Sequence, residues 1–243
     1  MTGVNWPNPV EICNADGASD IVLLCEHASN HIPAEYSGLG LTPHDLTRHI
    51  AWDLGAAEVT RRLSDALGAL AFLGTYSRLL IDLNRPVEAP SSIVTRSEAT
   101  DIAGNLALDP AERLCRIERI FQPYQDAVTA ALDLRQQAGR PTRLVSIHSF
   151  TPIYLNEVRP WHAGVLFGAA ETFGLELLDR LREPGFKIEA NVPYQTSREE
   201  DYGVPVHGDD RGIPAVLIEL RHDLISDEAG ISRMTAKLAA ALQ

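Results

Sequence analysis

Four short apolar runs stand out along the chain, and each is followed by chemically reactive side chains. The first, residues 21–25, is apolar throughout and leads directly into Glu26 and His27. Such a continuous run is typical of a strand buried on both faces of a sheet. The other runs contain or precede His148 and Ser149 in 143–150, Glu219 and Arg221 in 215–221, and Asp82, Asn84 and Arg85 after 79–81. Because ligands bind beyond the carboxyl ends of strands in open α/β sheets, these side chains are predicted to share one site.

Segments with helical periodicity alternate with these runs. Helices are predicted over 42–67, 109–137 with a kink at Pro123, 171–182, and from Ser226 or Asp227 onward; further strands are predicted over 69–73, 165–167 and 188–193. This alternation favours an α/β fold: a single-domain three-layer sandwich, with helices on both faces of a mostly parallel mixed sheet. The 243 residues suit one domain, 1–243, with residues 1–19 as an N-terminal arm.

Two features between the runs bear on the site. His49 and Asp53 are four residues apart in the first predicted helix, which would place them on one face. They are either a supporting or ligand pair, or an exposed pair beside a buried Trp52. The long polar segment 86–105 is predicted to be a lid, because loops of that length in compact domains are usually functional or mobile.

Composition excludes several classes of function. A net charge of −12 and the lack of a basic stripe argue against nucleic-acid binding. No apolar run is long enough to span a membrane, no secretory signal is evident, and the three cysteines are scattered, so a cytoplasmic, reducing location is expected. An anionic small molecule would need clustered arginines, which Arg78, Arg85 and Arg221 near strand ends can supply.

The side chains at the predicted sheet edge suit one type of chemistry. A single histidine after a strand is more often structural than catalytic, but here several strands end in such groups. Two histidines and an oxygen ligand form a typical catalytic zinc site with a position open for water. A nearby carboxylate can act as general base, and arginine can hold a substrate carboxylate. The inventory indicates metal-assisted amide hydrolysis.

Several strings together resemble the N-formylglutamate amidohydrolase family over roughly residues 20–240. They are CEHASNHIP (25–33), HIAWDLG (49–55), YSRLLIDLNRP (76–86), IHSFTP (147–152) and RPWH (159–162). The chain is more distantly similar to zinc carboxypeptidases and aminoacylase-like deacylases. That likeness implies a carboxypeptidase-like hydrolase fold of the phosphorylase/hydrolase type.

The resemblance also implies roles for individual residues. His27 and His148 would bind Zn²⁺ or another divalent transition metal such as Co²⁺, and Glu219 would be the general base. Asn30 stands where the distant relatives have a glutamate ligand, so either Glu26 supplies the missing charge or the metal is held weakly. The remaining residues implied at the site contact the substrate: Asn84, Arg85, Arg78, Ser149, Arg221 and Asp53, with Arg85 also stabilising the oxyanion.

The implied reaction is hydrolysis of N-formyl-L-glutamate to formate and L-glutamate, a step of histidine degradation, with Glu219 activating metal-bound water. The substrate would be a small anionic N-acyl amino acid. Two alternatives stay open: a related metallo-deacylase or carboxypeptidase that acts on another N-acyl amino acid or peptide, and a catalytically inactive homologue that binds a small molecule. The sequence leaves the oligomeric state undetermined.

Overall fold

A seven-stranded mixed sheet forms the centre of the computed structural model, which describes residues 6–243. In chain order the strands are β1 Val10–Cys13, β2 Ile21–Cys25, β3 Leu70–Gly74, β4 Arg96–Ser97, β5 Thr100–Asp101, β6 Arg143–Phe150, β7 Ile153–Tyr154, β8 Glu157–Val158, β9 Ala163–Leu166, β10 Ile188–Ala190 and β11 Ala215–Arg221. The central sheet has the order β1-β3-β2-β6-β11-β9-β10, and the short pairs β4-β5 and β7-β8 form separate hairpins. Strands β3, β2, β6 and β11 are mutually parallel, so their carboxyl ends share one edge.

Helices cover both faces of this sheet. They are α1 Ala56–Leu67, α2 Pro110–Arg116, α3 Gln122–Gln137, α4 Glu171–Leu181 and α5 Glu228–Leu242. One apolar core lies between the sheet and α1, α4 and α5, and the other contains residues of α3. Alternate residues of β2 enter opposite cores, which explains its continuous apolar run. The single-domain three-layer α/β architecture predicted from the sequence is confirmed. Within residues 6–243, no helix combines the length and the apolar character that a membrane span requires.

The first helix begins later than its periodicity predicts. Residues 45–47 form only a short 3-10 turn, and α1 starts at Ala56. Gly55 precedes it with φ of 80°, and a Cβ there would lie 2.3 Å from the carbonyl oxygen of Ile225. The left-handed conformation and the close approach of a second backbone both require glycine. The prediction of one helix over 42–67 is therefore wrong, and His49 and Asp53 lie in the loop before α1.

The apolar run at 79–81 is also not a strand. Leu79 and Leu80 lie in a turn and Ile81 in irregular backbone, and all three are 0–1% exposed in the second core. The backbone here is fixed by other bonds: the amide of Leu80 donates to the Ser77 carbonyl and that of Asp82 to the Ser92 carbonyl. A short buried run has no periodicity to separate strand from packed loop, which is why the prediction failed.

The segment 86–105 has its own local structure. It contains 3-10 turns at Pro90–Ile93 and Ala103–Asn105 and the β4-β5 hairpin. Asn105 anchors it, since its side-chain amide donates to the carbonyls of Leu79 and Val94, both at 2.8 Å. Its role as a lid stays a prediction.

Two further sequence predictions are refined by the structure. The predicted N-terminal arm, 1–19, contributes β1 to the sheet, antiparallel to β3; its residues 1–5 lie outside the described part of the chain. In the long helical segment, a π-helical turn at Ile117–Phe121 joins α2 to α3, and Pro123 lies in the first turn of α3.

His207 ties the loops beside the sheet edge to helix α3. Its Nε2 lies 2.7 Å from Oε1 of Gln125, whose own amide donates to the Leu83 carbonyl. This network makes the His207 Nε2 the donor, and its buried Nδ1 has no hydrogen-bond partner among the described residues. A proton added at Nδ1 would be unsolvated, and burial lowers the pKa of His207 to about 4 from an ordinary 6.5.

Because this imidazole is buried, we expect the free energy of unfolding to decrease in acid. Because the unfolded chain binds a proton more tightly than the folded one, this contribution is present above the unfolded pKa and is lost as the pH falls toward the folded value. Between pH 7.5 and 5.0 we expect His207 to account for about 2 kcal/mol of lost unfolding free energy. Urea unfolding of chelator-treated protein at both pH values measures it. His207→Asn should show a smaller loss by that amount, while His44→Asn at an exposed position should match the wild type.

Candidate metal and active site

Three parallel strands bring ionisable side chains to one edge of the sheet. Glu26 and His27 follow β2, His148 lies near the end of β6, and Glu219 lies near the end of β11. His148 and Glu219 are direct partners in the register of β6 and β11, so their side chains extend from the same face. The rings of His27 and His148 have centroids 4.7 Å apart. The parallel pairing of these strands thus brings together residues that are up to 193 positions apart, since 219 − 26 = 193.

Asp53 lies between the two imidazoles. Its Oδ2 is 3.4 Å from Nδ1 of His27 and 3.0 Å from Nδ1 of His148. The loop before α1 fixes the backbone of Asp53, because its amide donates to the His27 carbonyl at 3.0 Å. The amide of Ser149 donates to the same Oδ2 at 3.0 Å. Asp53, His27 and His148 therefore form a buried cluster that lies at the end of β2 and β6.

Carboxylates hold the opposite nitrogen of each ring. His27 Nε2 lies 2.7 Å from Oδ1 of Asp82, and His148 Nε2 lies 2.9 Å from Oε2 of Glu26. The Ser146 hydroxyl donates to the same Glu26 oxygen at 2.6 Å. Partners of this kind fix the orientation of a metal-binding histidine and raise its basicity. They leave both Nδ1 atoms directed toward Asp53.

The cluster fits a divalent metal ion. One ligand atom from each of His27, Asp53 and His148 lies within 4.8 Å of the others. His27 Nδ1 is buried and has no hydrogen-bond partner among residues 6–243, which would be costly unless another group binds it. Two imidazoles and one carboxylate are a frequent ligand set for catalytic zinc. These three residues could hold a metal ion together.

Electrostatic interactions stabilise the charged forms of this cluster. Burial alone would raise the pKa of Asp53, but the charges and hydrogen bonds of His27 and His148 outweigh it and lower that pKa. Burial alone would lower the pKa of His148, but its hydrogen bonds to Asp53 and Glu26 raise it well above the ordinary value. The carboxylates stay ionised at neutral pH and suit a cation.

Glu219 differs from these carboxylates in its contacts within residues 6–243. Its Oε2 is buried and has no hydrogen-bond partner in the described part of the chain. Burial is the largest influence and raises the pKa of Glu219 to about 7, although His148 and His27 act in the opposite direction. A carboxyl group with such a pKa can both accept and release a proton near neutrality, which is what a general base and acid requires.

One cavity of about 410 Å³ is lined by His27, Asp53, His148 and Glu219. Its remaining wall includes Arg78, Asp82, Asn84, Arg85, Ser149, Tyr154, Tyr194, Glu200 and Asp201. Arg78 contacts Oδ2 of Asp82 at 2.7 Å and Oδ1 of Asp53 at 3.5 Å. The volume is suitable for a small metabolite.

Three of the residues predicted for the site lie outside both the cavity lining and the metal cluster. Asn30 donates to the Leu46 carbonyl at 2.8 Å and does not line the cavity. Arg221 is paired with Asp223 at 2.8 Å and likewise lies outside the lining. Glu26 contacts the far nitrogen of His148, so it is not in the cluster with Nδ1.

The other predicted residues line the cavity but are engaged with protein groups. The Asn84 carbonyl oxygen Oδ1 accepts from the amides of Gly203 and Tyr202, at 2.8 and 3.1 Å. The Ser149 hydroxyl donates to the Leu54 carbonyl at 2.9 Å. Arg85 is paired with Asp201 at 2.8 Å.

Two aspartates contact the imidazoles of the site in ways that the sequence does not predict. The sequence suggests Asp53 as a substrate contact or as part of a supporting or ligand pair with His49. In the structure Asp53 lies between the imidazoles of His27 and His148, while His49 contacts Glu98 at 3.3 Å. The sequence indicates Asp82 only as a residue that follows an apolar run, whereas the structure places its Oδ1 2.7 Å from Nε2 of His27. The sequence does contain both aspartates in strings shared with the family, 49–55 and 76–86. It does not show that the loops carrying them meet at His27, because that depends on the fold.

Comparisons with known proteins identify the family and the fold. The family model of the N-formylglutamate amidohydrolases matches residues 19–226. Gene product Atu2144 from Agrobacterium tumefaciens has a crystal structure with 36% sequence identity and a TM-score of 0.94; the match covers 97% of this chain and 93% of that one. An N-formylglutamate amidohydrolase from Ralstonia eutropha JMP134 has 19% identity and a TM-score of 0.72, over 97% and 96% of the two chains, and therefore shares the fold.

A metallo-carboxypeptidase from Burkholderia cenocepacia is a more distant match, with 12% identity and a TM-score of 0.41, over 98% of this chain and 63% of that one. No curated protein matches the sequence.

Proposed function

Because this chain belongs to the N-formylglutamate amidohydrolase family, we propose that it is a metal-dependent hydrolase of the amide bond in N-formyl-L-glutamate or a closely related N-acyl amino acid. The family name describes hydrolases of an amide bond. The observation that carries the proposal is the position of Glu219, whose unpartnered carboxyl group lines the same cavity as the His27, Asp53 and His148 cluster. The products would be formate and L-glutamate.

The proposed roles follow from the contacts of each residue. His27, Asp53 and His148 would hold the metal, with Asp82 and Glu26 orienting the two imidazoles. A bound divalent ion polarises the acyl oxygen and makes water more acidic. Glu219 takes a proton from the attacking water as its oxygen adds to the formyl carbon, and it transfers that proton to the amine nitrogen as the C–N bond breaks. Because burial raises the pKa of Glu219 to about 7, this carboxyl group can both accept the proton and release it.

Arg85 and Arg78 have different parts in this proposal. Within residues 6–243, the hydrogen bonds that Arg85 donates to the protein all come from Nη1, so its Nε and Nη2 are available to a substrate carboxylate. Arg78 contacts Asp53 and Asp82 together and is therefore assigned to positioning the carboxylates around His27. Each of these two carboxylates also contacts His27, so Arg78 supports the ring from two sides.

Formate release is the direct test. Protein freed of metal by a chelator and then supplied with Zn²⁺ or Co²⁺ is incubated with N-formyl-L-glutamate, N-acetyl-L-glutamate and a dipeptide. We expect formate release that needs the added ion and exceeds acetate release. Preferential cleavage of the acetyl compound or dipeptide would instead favour the related deacylase or carboxypeptidase. Absence of hydrolysis with every substrate after metal addition would contradict the enzyme proposal and favour a binding homologue.

A further inference from the structure

The chain that follows β10 lies over the same face of the sheet as the side chain of Glu219. Gly164 and Glu219 are direct partners in the antiparallel pair of β9 and β11, so side chains at these two positions extend from one face. A Cβ at Gly164 would collide with the carbonyl oxygen of Val192, so this glycine leaves room for a second backbone beside Glu219. Two residues further on is Tyr194, which lines the same cavity as Glu219.

Arg159 holds the phenol of Tyr194. It follows the β7-β8 hairpin, and its guanidinium carbon lies 4.5 Å from the ring centre of Tyr154 and 4.8 Å from that of Tyr194. Its Nη1 donates to the Tyr194 hydroxyl oxygen at 2.8 Å. Stacking and hydrogen bonding together fix the phenol oxygen. Because a guanidinium has only donors, the phenolic hydrogen is left for another acceptor.

That hydrogen has no acceptor within residues 6–243. Burial raises the pKa of the Tyr194 hydroxyl, the charge of Glu219 raises it further, and Arg159 offsets this only in part. The hydroxyl is therefore protonated at neutral pH, and it lies close enough to Glu219 for their charges to interact. A fixed, neutral donor beside the general base suits an oxygen that gains negative charge as water adds to a carbonyl carbon.

We propose that Tyr194 is a catalytic residue that donates its phenolic hydrogen bond to the formyl oxygen as this oxygen becomes negatively charged, and that Arg159 is a positioning residue that holds the phenol. This inference rests on the proposed function and adds a role to the same site. The same oxygen would be polarised by a divalent ion on His27, Asp53 and His148, so the phenol adds a neutral hydrogen bond to an existing charge interaction. Tyr194 keeps its proton throughout.

Removal of the hydroxyl alone tests the role of Tyr194. In metal-loaded protein of measured metal content we expect Tyr194→Phe to lower kcat for N-formyl-L-glutamate about 30-fold with little change in KM, because the hydrogen bond strengthens in the transition state. The loss is smaller than the roughly 100- to 1,000-fold typical of an oxyanion donor, since the ion still acts on the oxygen. Tyr202→Phe is the matched control. Its ring packs against Phe121 outside the cavity, so kcat should be unchanged.

A binding measurement gives a readout that does not depend on turnover. Glutaric acid with a phosphonomethyl group on its α-carbon places a tetrahedral phosphonate where the substrate has its formyl group. Calorimetric titration of metal-loaded protein should show about 30-fold weaker binding of this compound to Tyr194→Phe than to the wild type. L-Glutamate, which lacks that group, should bind both proteins equally.

A double-mutant cycle tests the role of Arg159. Arg159→Gln should lower kcat about 5-fold in the wild type and have no effect in Tyr194→Phe, because no hydroxyl is then left to position. An equal loss in both backgrounds would show that Arg159 supports only the structure, and would overturn its assigned role.

The outcomes separate this inference from the proposed function. Absence of hydrolysis by the metal-loaded wild type would contradict the proposed function, and the inference would fail with it. Equal turnover by the wild type and Tyr194→Phe would overturn the inference alone, and so would a raised KM at unchanged kcat, which would place the hydroxyl on the ground state of the substrate. Circular dichroism checks the folding of each variant. If Tyr194→Phe did not fold, a lower kcat at unchanged KM in Arg159→Gln would support the inference, and an unchanged kcat would overturn it.

Discussion

Replacing Glu219 by glutamine is expected to lower kcat for N-formyl amino acid hydrolysis by about 1,000-fold with little change in KM. The amide has nearly the same shape but cannot accept a proton from water or transfer one to the leaving amine. Burial gives the native carboxyl group a pKa of about 7, and no side chain in the described part of the chain shares its Oε2. Steady-state kinetics of metal-loaded protein, with the metal content measured for each preparation, gives the result.

Glu189→Gln is the matched control for this variant. Glu189 pairs with Gly164 in the register of the sheet, and Gly164 pairs in turn with Glu219, so the two glutamates lie in one row across three strands. Glu189 is exposed and outside the cavity. Its substitution should leave kcat unchanged. A Glu219→Gln variant with full metal content and wild-type turnover would show that another group moves the proton.

The sheet and its reactive edge could be predicted because they depend on local sequence. Residues 21–25 are buried alternately in two cores, and such a strand needs an unbroken apolar run. The polar residues that follow, Glu26 and His27, then lie at the carboxyl edge by topology alone. His148 and Glu219 follow from the same rule because their strands are parallel neighbours.

The position of Asp53 could not be predicted from periodicity. The apolar spacing after Thr42 resembles a helix, but the close approach of Ile225 to Gly55 is a tertiary contact across 170 positions, since 225 − 55 = 170. That contact and the left-handed glycine end the loop and set where Asp53 lies. The pairing of Arg85 with Asp201 is also remote in sequence, so the charge of an arginine that the sequence predicts as a substrate contact is partly compensated by a carboxylate of the protein.

The structure yields a definite expectation for the metal ligands, which the sequence left open between Glu26 and Asn30. Asp53→Asn is expected to weaken Zn²⁺ or Co²⁺ binding by at least about 100-fold, because a neutral amide oxygen is a poorer ligand than the carboxylate that faces both Nδ1 atoms. Glu26→Gln alters the shared partner of the far nitrogen of His148 and of the Ser146 hydroxyl, and it should weaken metal binding by about 10- to 100-fold. Titration of chelator-treated protein with Co²⁺, followed by absorbance, measures each affinity.

Asn30→Ala serves as the control within this series. Its side chain donates to the Leu46 carbonyl and lies outside the cavity, so the variant should bind the ion with wild-type affinity even if it is less stable. Thermal unfolding gives a second readout, because a ligand at 1,000 times its Kd stabilises a folded protein by about 4 kcal/mol. The rise in Tm on adding metal should therefore be retained in Asn30→Ala and lost in Asp53→Asn. If Asp53→Asn kept that rise and Asn30→Ala lost it, the ion would be held by Asn30, and the cluster of Asp53 with the two imidazoles would have only a structural role.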